Sequence, residues 1–202
     1  LKKDTPIKIA NQYVPVNAME ITLSTGHKLK KGDKIFVHRP STAEWIEDLG
    51  ADHFGGGLGY LSWKPGDYDI HWDRTVTAVD GNKISIDAPI TTALDPKYGG
   101  GYIIPYTWNG RIQNIGIENL SCISEYDKTI LKDEAHSWVG ITMDNVQDAW
   151  VRNITFKHFA GSAVTVLEGG KRITVENCKA LAPISEIGGQ RRYTFFTSGQ
   201  QT

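Results

Sequence analysis

The sequence predicts an all-β protein, a right-handed parallel β-helix (solenoid) with a small antiparallel β-module inserted in its N-terminal half. Three observations predict it. A short strand pattern recurs in the second half as Ile115-Gly116-Ile117-Glu118-Asn119-Leu120, Ile154-Thr155-Phe156-Lys157-His158-Phe159 and Ile173-Thr174-Val175-Glu176-Asn177-Cys178. The stretches between these segments are punctuated by Gly, Asn and Asp and hold no helical run. In the first half, Asp80-Gly81 separates two alternating apolar runs, which is a strong hairpin signal.

Each hexapeptide reads apolar, any, apolar, polar, turn former, apolar. Period-2 alternation sends the first and third residues to one side, so each set can line a core as a β-strand. The gap from Ile115 to Ile154 is close to twice the gap from Ile154 to Ile173, so one coil is skipped or enlarged. Repetition at roughly 20 residues of a strand that cannot bury its face alone is the mark of a solenoid. Val139-Gly140-Ile141-Thr142-Met143, Ala163-Val164-Thr165-Val166 and Arg192-Tyr193-Thr194-Phe195-Phe196 supply further strands. Several short strands per coil fit a β-helix better than a leucine-rich horseshoe. Asn119 and Asn177 stand at the corner position, where Asn tolerates the left-handed backbone and can form a coil-to-coil ladder. His158 interrupts that ladder.

The first half carries alternating runs at Met19 to Leu23, Ile35 to Val37, Thr75 to Val79 and Ile84 to Ile86. An excursion over residues 41–72 holds Gly55-Gly56-Gly57 and three of the six Trp residues, Trp45, Trp63 and Trp72, with Trp108 just beyond. A loop of that length is either functional or a packed flap. The expected organisation is lead-in strands over 1–17, the inserted module over 18–96, and β-helix coils over 97–202. Leu1-Lys2-Lys3-Asp4 has neither an initiator Met nor an apolar signal core, and the strand pattern is still running at Gln200-Gln201-Thr202. The chain is therefore expected to be a fragment, truncated at the C-terminal end of its coils.

With 22 Lys and Arg against 23 Asp and Glu, the formal net charge is -1, which leaves no basic footprint for nucleic acid or an anionic membrane. No apolar run approaches the ~20 residues needed to cross a bilayer. Neither partner is expected. Cys122 and Cys178 fit neither a disulfide scaffold nor a paired zinc spacing, and read as buried free thiols. No cofactor is expected. Calcium would need at least three converging ligands, and no single loop supplies them.

Several stretches resemble a group of bacterial proteins in the pectate-lyase-like β-helix superfamily. They are Arg39-Pro40-Ser41 with Glu44-Trp45, Trp72-Asp73-Arg74-Thr75, Gly110-Arg111-Ile112, Ser124-Glu125-Tyr126-Asp127, His158-Phe159-Ala160-Gly161-Ser162-Ala163, and Ser185-Glu186-Ile187-Gly188-Gly189 before Arg191-Arg192-Tyr193. The resemblance spans the chain and is specific for fold and group, while it leaves the reaction open. It implies a secreted or periplasmic polysaccharide-active protein of unknown oligomeric state.

A β-helix face suits an extended sugar chain, and two chemistries cleave one there. Hydrolysis needs two carboxyl groups roughly 5 to 9.5 Å apart. Elimination on a uronate needs a base beside a carboxylate, plus groups that stabilise the developing charge. Candidate catalytic residues are Glu186, His158, Asp144 and His136; candidate substrate contacts are Arg191, Arg192, Lys157, Trp63 and Trp72. Asp133, Glu134 and His136 form either a solvated loop or part of a site. Glu186 with Arg191 and Arg192 either braces the Gly188-Gly189 bend or grips a uronate or sulfate through the guanidinium fork. His158 is a general base or a hydrogen-bonded corner residue. The Trp residues stack on sugar rings or pack the flap. The expected function is cleavage of glycosidic bonds in a complex, acidic polysaccharide, by lyase or hydrolase chemistry. The alternative is a non-catalytic glycan-binding or structural β-helix, such as an adhesin or spike.

Overall fold

A computed structural model describes residues 1–53, 58–59, 61–189 and 191–202. The Gly55-Gly56-Gly57 run lies outside them. The described chain is all-β apart from two short helical turns, and it divides into two compact units, Leu1–Asn109 and Gly110–Thr202.

The first unit contains β1 (Lys2–Lys3), β2 (Ile7–Lys8), β3 (Glu20–Thr22), β4 (Lys34–Arg39), helix α1 (Ala43–Asp48), β5 (Ile70–Asp80), β6 (Lys83–Ile86) and β7 (Tyr102–Thr107). All its strand pairs are antiparallel, in the order β1-β7-β4-β5-β6-β3, with β2 also on β7. The Asp80-Gly81 signal marks a real hairpin, in which Asp80 pairs with Lys83. The long branched and aromatic residues of these strands alternate inward, so Ile21, Ile35, Val37, Trp72, Val76, Ile84, Ile86 and Ile103 form one core. The sequence-based boundaries shift accordingly. Residues 1–17 pair antiparallel within this unit instead of leading into parallel coils, and the module closes on β7, after residue 96. The excursion over 41–72 contains α1, started by the Thr42 hydroxyl accepting from the Trp45 backbone N–H.

The second unit is built differently. Its strands are β8 (Ile112–Gln113), β9 (Gly116–Glu118), β10 (Ser121–Ile123), β11 (Val139–Met143), β12 (Val146–Arg152), β13 (Thr155–Lys157), β14 (Ser162–Val166), β15 (Gly170–Glu176), β16 (Lys179–Leu181) and β17 (Phe195–Thr197). Every pair among them is parallel. One sheet runs from β8 and β9 through β12 to β15, the next is β10-β13-β16, and the third is β11-β14-β17. The chain thus visits the same three sheets in the same order three times. Met143, Val146, Ala149, Val151, Ile154, Phe156, Ala163, Val164, Val166 and Ile173 are buried together as its core. Phe156 fills the space against Gly140, where an added Cβ would meet the ring at 2.5 Å.

The three isoleucine-led hexapeptides do not share one column. The 115–120 and 173–178 segments do, but what lies between them is Ala149-Trp150-Val151-Arg152-Asn153-Ile154, with Ile117 opposite Val151 and Val151 opposite Val175. The 154–159 segment falls in the next sheet, where Phe156 pairs with Cys122 and Ala180. The corner Asn column is therefore unbroken. Asn119, Asn153 and Asn177 all adopt positive φ of 60°, 55° and 52°, and Asn153 Nδ2 donates to Asn119 Oδ1 at 3.3 Å. His158, also at positive φ, turns the following corner. The steps along that column are 34 residues from Asn119 to Asn153 and 24 from Asn153 to Asn177, because the inserted loop over 124–138 lies within the first step.

Candidate functional site

The corner between the second and third sheets gathers the most chemistry. There β10 and β16 each run into a long loop, over 124–138 and 182–194, while β13 passes to β14 through the short turn over 158–161. The two long loops follow strands that do not pair with each other, β10 and β16, and bind each other directly. Arg191 grips Glu134 with both arms, Nε to Oε1 at 2.5 Å and Nη2 to Oε2 at 3.0 Å, and Glu134 Oε1 also accepts from the Glu186 backbone N–H at 3.0 Å. Lys132 Nζ donates to Glu186 Oε2 at 2.7 Å. The Arg191 hydrogen bonds, with the Glu186 amide second, hold the Glu134 carboxyl below the usual carboxylate range, and Glu134 in turn raises the Arg191 pKa.

His136 ties the same loops from inside. Its Nε2 lies 3.0 Å from the Ile184 carbonyl oxygen, which can only accept, so that nitrogen carries the proton and Nδ1 accepts from the buried Ser124 hydroxyl at 2.8 Å. His158 Nδ1 lies 3.0 Å from the Ala182 carbonyl. By the same logic Nδ1 carries a proton, which leaves Nε2 as the ring nitrogen not engaged in that bond. The Tyr126 ring stands between the two imidazoles, 6.0 Å from His136 and 5.1 Å from His158. Asp133 accepts from the Asp127 and Ala135 backbone N–H groups, which keep its carboxyl low and brace the inserted loop.

Of the residues singled out from sequence, His136, His158, Glu186, Arg191, Arg192 and Lys157 thus belong to this corner. Lys157 is half-buried at the end of β13, and alternation from the buried Phe156 puts it on the outer face. Two of the expected substrate contacts have other occupations. The Arg191 fork faces Glu134, and Arg192 donates to the Ser185 hydroxyl and carbonyl oxygens at 3.1 and 2.6 Å, bracing the turn. Asp144 sits at a different corner, where its Oδ1 accepts from the Asn145 and Gly169 backbone N–H groups. Trp72 is only 3% exposed, with its indole N–H on Thr91, so burial rules out sugar stacking there. Trp63, in the first unit, stacks on Tyr68 at 3.9 Å and leans on Trp45. Residue type does not mark Lys132 and Ser124 as site residues, because only the pairing of the two loops shows what they face.

In the first unit the densest titratable group is Asp69, His38 and His71. His38 Nε2 is 3.3 Å from Asp69 Oδ2, its Nδ1 is 2.7 Å from His71 Nε2, and its ring stacks on Tyr102. Ser41 fixes Asp69 through its backbone N–H and hydroxyl. Burial first, then His71, lowers the His38 pKa to about 4. Among the described residues, no group of three or more His, Cys, Asp or Glu stands close enough to hold a metal ion, and no helix is long and apolar enough to cross a membrane.

No family profile and no curated protein matches the chain. Among solved structures, it is similar to the tailspike protein gp49 of Pseudomonas phage LKA1, at TM-score 0.35 and 14% identity, over 86% of this chain and 28% of that one. It is also similar to the tailspike gp61 of Pseudomonas phage phi297, at 0.39 and 10% identity, over 98% and 34% of the two chains. A third is the Gp54 tailspike of Acinetobacter baumannii bacteriophage AP22, solved in complex with A. baumannii capsular saccharide, at 0.39 and 9%, over 98% and 34%. The chain spans about a third or less of the length of each. TM-scores this low do not establish a shared fold, so the architecture rests on its own strand pairing.

Proposed function

We propose that Gly110–Thr202 forms three coils of a right-handed parallel β-helix whose loop-bearing corner handles an acidic polysaccharide and cleaves it beside a uronate. The return of the chain to the same three sheets supports the coil, and the strong right-handed rule for parallel crossovers supports its hand. The observation that carries the functional reading is the convergence of the 124–138 and 182–194 loops around His158.

Elimination suits these groups better than hydrolysis. A hydrolase acid must hold a proton near neutrality, yet Glu134 is kept ionised by Arg191 and Glu186 faces Lys132. His158 has a base nitrogen to offer at Nε2. It would take the proton next to the uronate carboxylate onto Nε2, the electron pair would form the new C=C bond as the C–O bond breaks, and the departing oxygen would take a proton from water. Lys157 on the outer face would stabilise the charge building on the carboxylate. His136, locked between Ser124 and Ile184, would position the loop and take no part in the proton transfer. A secreted or periplasmic setting, as the pectate-lyase-like resemblance implies, belongs to the same reading. The ion pairing of Glu134 and Glu186 also suits a second reading, a non-catalytic glycan-binding or structural β-helix of adhesin or spike type.

The test incubates the full-length protein with pectic, algal and host polysaccharides and follows reducing ends together with the absorbance of unsaturated sugars. Elimination predicts that both rise in step and that His158→Ala abolishes both while the fold is kept. Reducing ends without unsaturation would replace the lyase reading with hydrolysis. Binding without cleavage would establish the second reading.

A further inference from the structure

The outer face of the β9-β12-β15 sheet holds a group that the corner site does not use. Ala149 and Val151 are buried, so Trp150 and Arg152 of β12 face outward. In register with Trp150 stands Gly116 on one side and Thr174 on the other. The indole lies down on the glycine. A Cβ built on Gly116 would stand 2.0 Å from Trp150 Cε2, 2.2 Å from Nε1 and 2.5 Å from Cδ2, so no residue with a side chain fits under the ring. One ring face therefore covers the backbone and the other is turned away from the sheet.

Polar groups edge this platform. Trp150 Nε1 donates to Glu118 Oε2 at 3.0 Å, which fixes the ring in its plane. The Arg152 guanidinium lies over the ring, on the side away from Gly116, 5.9 Å from the ring centre, so a ligand on that face would share it with the cation. Its Nε is 2.7 Å from Glu176 Oε1 and its Nη1 is 4.0 Å from Glu118 Oε2, so two carboxylates and one guanidinium form a column across the three coils. All three side chains are well exposed. If filling the space over Gly116 were the whole purpose, the ring would need no such border.

We propose that Trp150 is the floor of a subsite for a neutral hexopyranose residue of a glycan, with Glu118, Arg152 and Glu176 as its hydrogen-bonding rim. The C–H face of a pyranose packs on an indole face, and its hydroxyls donate to carboxylates and accept from a guanidinium. Two carboxylates against one cation leave the rim net negative, which selects against a uronate or sulfated sugar. The subsite deepens the glycan reading and rests on it for the class of ligand, but on no residue of the corner.

The experiment uses the isotopically labelled full chain. The indole N–H resonance of Trp150 is identified by its loss in Trp150→Phe, and cellohexaose, maltohexaose and mannohexaose are titrated in turn, with hexagalacturonate as the charged comparison. The proposal predicts a saturable shift of that resonance with at least one neutral hexasaccharide and none with hexagalacturonate. Trp150→Ala should weaken that binding by about tenfold or more. The paired surface variants Glu118→Gln and Glu176→Gln together, which leave the ring on Gly116, should weaken it comparably. A resonance unmoved by every neutral probe, or binding unchanged in both variants, would overturn the subsite. Because His158→Ala should leave this shift intact, loss of the corner activity and loss of the platform are separate results.

Discussion

At the scale of single residues, the clearest constraint is backbone handedness at the corners. Asn153 stands in the middle of its column with φ 55° and donates to Asn119. Left-handed backbone costs an ordinary L-residue roughly 1–2 kcal/mol, and an intramolecular hydrogen bond adds about 1 kcal/mol. Asn153→Ala should accordingly lower the unfolding free energy by about 2 kcal/mol in urea, and Asn153→Gly, which keeps the conformation, by less. His38 supplies a second expectation at this scale. Its folded pKa of about 4 lies below the value near 6.5 of an unfolded His, so the unfolded chain binds more protons between those limits. Stability of the first unit should fall as pH drops from about 6.5 to 4 and change little from this source below that. The acidic group Asp69, the neighbouring His71, Lys3 and Tyr102 all face this ring or act on it. His38→Asn should flatten that slope in thermal melts across pH.

At the scale of elements, the sequence was legible where one strong side chain sat at each inward position. Ile117 and then Ile173 and Val175 announce their strands. The strand that pairs with both does not, since Ala149 is a weak apolar signal and Trp150 occupies the outward position, so the pattern was matched to Ile154 and Phe156 one sheet on. The error moved His158 into the wrong column and hid the meeting of Trp150 with Gly116, which depends on register. Trp72 misled for a related reason, because composition cannot tell a Trp that lines a core from one that faces solvent. Polarity alone leaves the inserted 124–138 loop as either a solvated loop or part of a site. Its order comes from Asp133, whose carboxylate accepts from the Asp127 and Ala135 N–H groups. Since those bonds lower its pKa, the bracing is complete above about pH 4 and is lost as pH falls through the depressed folded value. Asp133→Asn should speed amide hydrogen exchange at Asp127 and Ala135 near neutral pH, where the wild-type loop protects them. Phe156, 1% exposed against Gly140, makes the core of this unit depend on one ring, and Phe156→Ala should cost about 3–5 kcal/mol.

At the scale of the whole molecule, the two units follow different pairing rules. Leu1–Asn109 is antiparallel throughout its described strands and Gly110–Thr202 is parallel throughout its own. All-β character and the parallel repeat were readable from alternation and turn residues. The unit boundary was not, because β7 completes the first sheet with a strand far in sequence from β1 and β4. The site was half readable for the same kind of reason. Glu186, Arg191, His136 and His158 could be named from residue type, but that the 124–138 and 182–194 loops meet beside His158 is a property of loop length and strand stacking. The central claim is that this corner receives an acidic glycan. The measurement that tests it most directly is a backbone amide titration of the labelled full chain with hexagalacturonate and with fragments of other acidic polysaccharides. The account predicts saturable shifts concentrated at Tyr126, Lys157, His158 and the 182–194 loop, with Asp144 unmoved. Shifts centred on another surface, or no response to any acidic fragment, would contradict it.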